Sequence, residues 1–237
     1  MKKGLIFFII ILFSPFVFCQ MQEEDLVMLL GGMVKSDKWI IRKDSFEEEF
    51  IGNVRYENDT YQLFADRALS RRQAKIYELS GNVQLSRKEG ENILTLNASN
   101  ILYDQKQDTG FAKGSPKKQV KVIYTTPENI YTLFADKVEF SRKANFFNAA
   151  GRVKLSDKEN TLQAQSVTFD RESGIFEALS VRPLFTGENK DASYALTADK
   201  IIIDTKNQNF KALGQSQGWI TLKKDLLSEE NLKKLKE

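Results

Sequence analysis

Three aspartates recur beside the same short motif, and they are the first place to look for chemistry. Asp66, Asp136 and Asp199 each follow a Leu-x-Ala step and each precede a cation, Arg67, Lys137 and Lys200. Clustered carboxylates serve calcium sites and the acid pairs that cleave glycosidic bonds. Here, however, the acids recur because a repeat recurs, and an aspartate at a turn commonly hydrogen-bonds its own backbone. They are read as turn residues, and the cations beside them as a solvated surface. The 237-residue chain has no histidine, which removes Ser-His-Asp and Cys-His nucleophiles, imidazole zinc sites and histidine bases. Its single cysteine, Cys19, ends an apolar leader, so thiol catalysis and disulfides are not expected either. No phosphate-cradling glycine loop is present. The expectation is a protein that is not an enzyme and has no catalytic residue, no metal site and no cofactor.

The motif around those aspartates occurs five times: Leu63-Phe64-Ala65-Asp66, Leu96-Asn97-Ala98-Ser99, Leu133-Phe134-Ala135-Asp136, Leu162-Gln163-Ala164-Gln165 and Leu196-Thr197-Ala198-Asp199. The alanines stand 33, 37, 29 and 34 residues apart. Two apolar residues follow at fixed offsets, Ile101 and Tyr103, Val138 and Phe140, Val167 and Phe169, Ile201 and Ile203; the first copy has Ala68 and Ser70 instead. Strand side chains alternate between faces, so each pair of residues two apart shares a face. The three-residue step between the pairs would put them on opposite sides of a flat strand. A bulge or corner at the intervening dipeptide returns both to one interior.

Between these copies runs a second motif, centred on glycine. It reads Tyr77, Leu79, Gly81, Val83, Leu85 and again Phe147, Ala149, Gly151, Val153, Leu155. Partial copies lie at Phe50 to Tyr56, Ala112 to Gly114 and Ala212 to Gly214, and Ser180 replaces the glycine after Phe176 and Ala178. Glycine inside a strand marks a bulge or a close backbone approach, so this motif is expected to bend as well. Polar turns such as Glu57-Asn58-Asp59, Lys88 to Asn92 and Ser156 to Asn160 join the two motifs. Together they predict eleven bent strands, with Trp39 to Arg42 as a candidate twelfth. The fold class is therefore all-β and antiparallel: a solenoid, jelly roll or half-open sandwich, in which a folded-over sheet is built from repeats. Short terminal helices are expected at Glu23 to Leu30 and Ser228 to Leu235, the latter capped by Ser228.

Met1-Lys2-Lys3 followed by the apolar run Gly4 to Phe18 has the form of a secretory signal. Three fates remain open: cleavage after Cys19, retention as an anchor, or acylation on Cys19. Without Lys2 and Lys3 the formal charge of +3 falls to about +1, and the cations are interspersed with acids, so no nucleic-acid partner is expected. The expected organisation is a signal peptide over 1–19, an N-terminal extension with the first strand over 20–47, a β body over 48–222 and a helical tail over 223–237.

The alternation of Gly81-Asn82-Val83-Gln84-Leu85 with Leu133-Phe134-Ala135-Asp136-Lys137-Val138-Glu139-Phe140, behind a short leader, resembles the LptA/OstA-like proteins of lipopolysaccharide transport. The similarity spans roughly residues 48 to 222. It implies a twisted, open-ended β-jelly roll in the periplasm that binds lipopolysaccharide acyl chains between its two sheet faces. It also implies end-to-end association that bridges the inner and outer membranes in outer membrane biogenesis. An anchored leader would instead imply an inner-membrane relay like the LptC proteins. Ser115 to Gln119, which lengthens one repeat, and Pro183, which must fall at an edge or bulge, depart from the pattern.

The residues expected to point inward are Leu63, Ala65, Leu96, Ala98, Leu133, Ala135, Leu162 and Leu196 from the first motif, with Ile101, Tyr103, Val138, Phe140, Val167, Phe169, Ile201 and Ile203 behind them. Leu79, Val83, Phe147 and Val153 join them from the glycine motif. Each could be ordinary core, as in a structural solenoid without a ligand. A sheet that folds over without closing would instead leave a lipid-binding groove, in which burial contributes about 0.8 kcal/mol per acyl CH₂. Unclosed edges near Trp39 to Tyr56 and Trp219 to Leu222 would accept strands from another copy, as a head-to-tail homo-oligomer, or from other envelope β proteins.

Overall fold

The computed structural model describes residues 33–223 apart from 142, 143, 145, 171, 181, 189, 205 and 208. The leader with Cys19, the segment Glu23 to Leu30 and the tail Ser228 to Leu235 lie outside the described residues. Within them the period-two alternation is realised as eighteen strands in one antiparallel sheet, with no helix. In order these are β1 (Met33–Lys35), β2 (Lys38–Arg42), β3 (Glu47–Glu57), β4 (Tyr61–Arg71), β5 (Ile76–Glu89), β6 (Asn92–Asp104), β7 (Thr109–Lys113), β8 (Val120–Thr125) and β9 (Ile130–Ala135). There follow β10 (Lys137–Ser141), β11 (Phe146–Ser156), β12 (Asn160–Asp170), β13 (Ile175–Leu179), β14 (Leu184–Glu188), β15 (Ala192–Thr197), β16 (Lys200–Asp204), β17 (Asn209–Leu213) and β18 (Gln217–Leu222).

Six of these strands, β3 to β6, β11 and β12, run through the corner unbroken, and the others are half-strands joined at it. The result is twelve rungs, each with one half in either of two walls, matching the eleven bent segments and their candidate twelfth. The insertion at Ser115 to Gln119 and the break at Pro183 both fall at the corner, where no ladder bond is lost.

The corner is a repeated bulge. On β3, Ile51 pairs with Arg67 and Val54 with Ala65, so Gly52 and Asn53 together face Asp66. Gly81 and Asn82 face Ser99 in the same way, and Gly151 and Arg152 face Gln165. Both residues of each dipeptide are left-handed, with φ of 75° and 46° at Gly52 and Asn53, 68° and 45° at Gly81 and Asn82, and 75° and 47° at Gly151 and Arg152. Two successive positive φ angles turn the strand sharply, and only glycine takes the first without steric cost. The turn returns the two apolar pairs of each repeat to a common interior.

The corner aspartates do something other than the expected bonding of their own backbone. Each reaches across to the neighbouring glycine corner: Asp66 Oδ2 accepts from Asn82 Nδ2 at 3.0 Å, and Asp199 Oδ2 accepts from the Gln215 backbone N–H at 3.1 Å. The Asp136 carboxylate accepts from Arg152 Nε at 3.0 and 3.1 Å. Asp37, which lies outside the Leu-x-Ala copies, does the same for Asn53 at 2.9 Å. A Cβ at Gly52, Gly81, Gly151 or Gly214 would collide with the facing carboxylate, so the glycine is needed for space as well as for φ.

Gly151→Ala should therefore destabilise by about 2–3 kcal/mol, combining left-handed strain with the clash against Asp136. In thermal melts followed by circular dichroism this is a fall in Tm of roughly 5–10 °C. An unchanged melt would show that the corner is not under this constraint.

Candidate binding interior

Register lines up the inward side chains into rows that run across every rung. On one wall Val34, Tyr56, Leu63, Leu85, Leu96, Val122, Leu133, Leu155, Leu162, Phe185 and Leu196 are successive cross-strand partners. On the other, nearest the corner, Phe50, Ala68, Leu79, Ile101, Ala112, Val138, Ala149, Val167, Ala178, Ile201 and Ala212 form a row in which alanine recurs between larger residues. Beyond it lies a largely aromatic row through Tyr77, Tyr103, Phe140, Phe147, Phe169 and Phe176. Beside the corner of the leucine wall, Val54 meets Ala65, Val83 meets Ala98, Val120 meets Ala135 and Val153 meets Ala164. The small residue of Leu-x-Ala is thus the partner that makes room for the glycine motif's valine.

Of the residues expected to face inward, Leu63, Ala65, Val83, Ala98, Tyr103, Leu133, Ala135, Val138, Phe147, Val153, Leu162, Val167, Phe169, Ile201 and Ile203 are buried in the apolar interior. Leu79, Leu96, Ile101 and Leu196 are partly buried and packed against it. Phe140 is half-buried, its ring stacked on Tyr103 with centroids 6.0 Å apart. Sequence reasoning missed Tyr56, Tyr61, Val120, Val122, Tyr124, Tyr131, Leu155 and Phe185, which are equally buried. The strict alternation of Val120, Val122 and Tyr124 was the available signal, hidden because the insertion before it shifts the template.

The interior is not uniform along its length. In the leucine row Val122, Leu133, Leu155 and Leu162 are exposed by only 4, 3, 0 and 1%, whereas Leu85 and Leu96 remain partly accessible. Leu79 and Ile101, facing them from the other wall, are partly accessible too. Solvent therefore reaches apolar side chains at a waist on β5 and β6, between one closed cluster around Tyr56 and Leu63 and another from Ala98 to Ile203. Ile101 touches both clusters.

Outside the walls the charges pair off. Arg67 meets Glu49, Lys137 meets Glu139 and Lys200 meets Glu177, so the cations after the corner aspartates form a surface ladder. Arg42 and Arg67 both donate to Glu49, each at 2.5 Å, and hold its carboxyl below the usual carboxylate range. Arg152 does the same for Asp136, and Lys137 followed by Asn148 for Glu139. Among the described residues no group of three or more Cys, Asp or Glu side chains is arranged to hold a metal.

The family described as "LptA/(LptD N-terminal domain) LPS transport protein" matches residues 33–175, more than half of the chain. No curated protein matches. Among solved structures, the similar chains include LptH of Pseudomonas aeruginosa, described as the LptA homologous periplasmic component of a lipopolysaccharide transport device. That likeness has 11% identity and a TM-score of 0.27, over 63% of this chain and 82% of the other.

A carboxylate whose folded pKa is depressed contributes stability above its unfolded value and loses it as pH falls through the folded value. For Glu49 the unfolded value is near 4.5, so the contribution is complete at neutral pH and drains away below that. The Tm gap between the native chain and Glu49→Gln should accordingly be fully open near pH 7 and narrow progressively as pH falls below about 4.5. A gap that stays constant with pH would exclude an ionic role for Glu49.

Proposed function

From the premise that the chain belongs to the LptA/(LptD N-terminal domain) family of lipopolysaccharide transport proteins, we propose that it is a periplasmic carrier that holds the acyl chains of lipopolysaccharide between its walls and passes them along a bridge from inner to outer membrane. The observation that carries this reading is the waist: apolar side chains from both walls, Leu79, Leu85, Leu96 and Ile101, are only partly buried where the two buried clusters meet. An acyl chain laid there covers those side chains and needs no catalytic group to be held. Apolar rows that run across most rungs offer successive sites of like chemistry, so movement along them meets no chemical step. The work that drives transfer comes from another protein.

Bridging needs open ends, and among the described residues neither end rung carries an outer strand. Among the described residues β1 and β2 pair with β3 alone, β17 with β16 alone and β18 with β15 alone, which leaves unpaired backbone groups at each end. Trp39 and Ile41 at one end, and Trp219, Ile220 and Leu222 at the other, are exposed. Exposed apolar residues on an uncapped edge suit strand addition by a second copy or by another β-jelly-roll component of the envelope.

Two measurements test the reading. Native mass spectrometry of protein extracted from its own envelope should show bound lipopolysaccharide, and Ile101→Trp, which fills the waist, should reduce lipid occupancy at least fivefold in a protein that still folds. Lipid-free native protein would rule out the carrier in favour of a structural solenoid. For the ends, sedimentation velocity should show concentration-dependent assembly that Trp219→Arg abolishes. Monomeric behaviour at high concentration, with no capture of other envelope β proteins, would reject end-to-end association.

A further inference from the structure

The aromatic row changes character at its N-terminal end. Next to the aromatic positions, the row continues toward the N-terminal end as Ile41, Glu48, Ser70 and Tyr77, each the cross-strand partner of the next. Glu48 lies two residues from Phe50, and Ser70 two residues from Ala68, and both of those apolar residues pack on the interior. Residues two apart share a face, so the carboxylate and the hydroxyl also point inward. Glu48 is only 7% exposed, yet it sits in a wall that is aromatic or aliphatic along most of its length.

Neither group has its bonding capacity filled. Arg72 Nη2 donates to Glu48 Oε1, which leaves Oε2 free to accept again. The Ser70 hydroxyl oxygen is buried and has no hydrogen-bond partner among the described residues. A buried hydroxyl without a partner costs about 1–3 kcal/mol, and an inward carboxylate demands more still. An apolar pair would continue the row at lower cost. What this pair offers instead is an acceptor and a donor side by side, one rung from the waist, since Ser70 pairs with Tyr77 and Leu79 lies just beyond.

We infer that this notch binds the polar head of the amphiphile, by accepting a hydrogen bond from a sugar hydroxyl or amide N–H on Glu48 Oε2 and exchanging one with the Ser70 hydroxyl. The inference rests on the carrier reading and adds a direction to it: the head lies toward β2 to β4, with the acyl chains running into the waist at β5 and β6. A lipid without hydrogen-bonding head groups of this kind gains nothing from the notch.

Two probes separate the possibilities, lipopolysaccharide and palmitate, with affinities read by displacement of an environment-sensitive dye. Ser70→Ala combined with Glu48→Gln should raise the Kd for lipopolysaccharide about tenfold, the loss expected of one charge-assisted hydrogen bond, and leave palmitate within about twofold. Ser70→Ala alone removes an unpartnered buried group, so it should melt no lower than the native chain while still weakening lipopolysaccharide. Ser70→Thr, which keeps the hydroxyl, should restore binding. Unchanged lipopolysaccharide affinity in Ser70→Ala, or equal weakening for both probes, overturns the notch while leaving the carrier intact. If the native chain binds neither probe, the carrier reading fails and the notch fails with it.

Discussion

Two consecutive left-handed residues, held opposite a single residue of the next strand, are the constraint on which the molecule rests. A strand of L-residues does not fold back on itself unaided. Gly52-Asn53, Gly81-Asn82 and Gly151-Arg152 make it do so by placing one extra residue in the ladder and turning both φ angles positive. At these three corners, and at Gly214, an aspartate from the adjacent rung fills the space that the glycine leaves. The acid, the glycine and the residue after it act as one unit stacked along the spine, so a change in any of them is felt by the neighbouring rung.

Once the corner is set, the interior follows from register. Val54, Val83 and Val153, after their glycines, meet alanines, and the leucine row meets side chains of comparable size up to Leu196, which meets Gly218 on the last rung, so large and small residues interlock from rung to rung. From Val120 to Ile203 most of the inward side chains are almost fully buried. At β5 and β6 several are not, and the same chemistry that makes a core elsewhere leaves an accessible apolar strip. The same motif therefore gives a buried core in one stretch and partly accessible apolar side chains in another.

Polar groups are largely sorted by face. Outside, the acids of β3 pair with Arg42, Arg67 and Arg71 in a network around the first rungs, beside the open edge where a partner strand would add. Exposed pairs of this kind contribute little singly, and it is their network that steadies the end rungs. Inside, Glu48 and Ser70 interrupt an apolar row, and they do so at the end of the interior rather than in its middle. Placed there, they leave the long apolar path unobstructed.

The sequence by itself determined the all-β class, eleven bent units with a candidate twelfth, and the inward face of the motif positions, because period-two alternation and a recurring three-residue step are local properties that leave few geometries. Family membership was legible for the same reason, since Leu-x-Ala and glycine copies repeat the same corner. What only the tertiary structure decided was how units interact. The corner aspartates look like turn residues in sequence, yet they serve the adjacent rung, a relation that exists only once register places Asp66 beside Gly81 and Asp136 beside Gly151. Val120, Val122 and Tyr124 entered the core after an insertion that obscures the repeat but loops out at the corner. The waist depends on how far apart two walls stand, and the inward pairing of Glu48 with Ser70 on cross-strand register. Both are distances between residues far apart in the chain, and no local pattern encodes them.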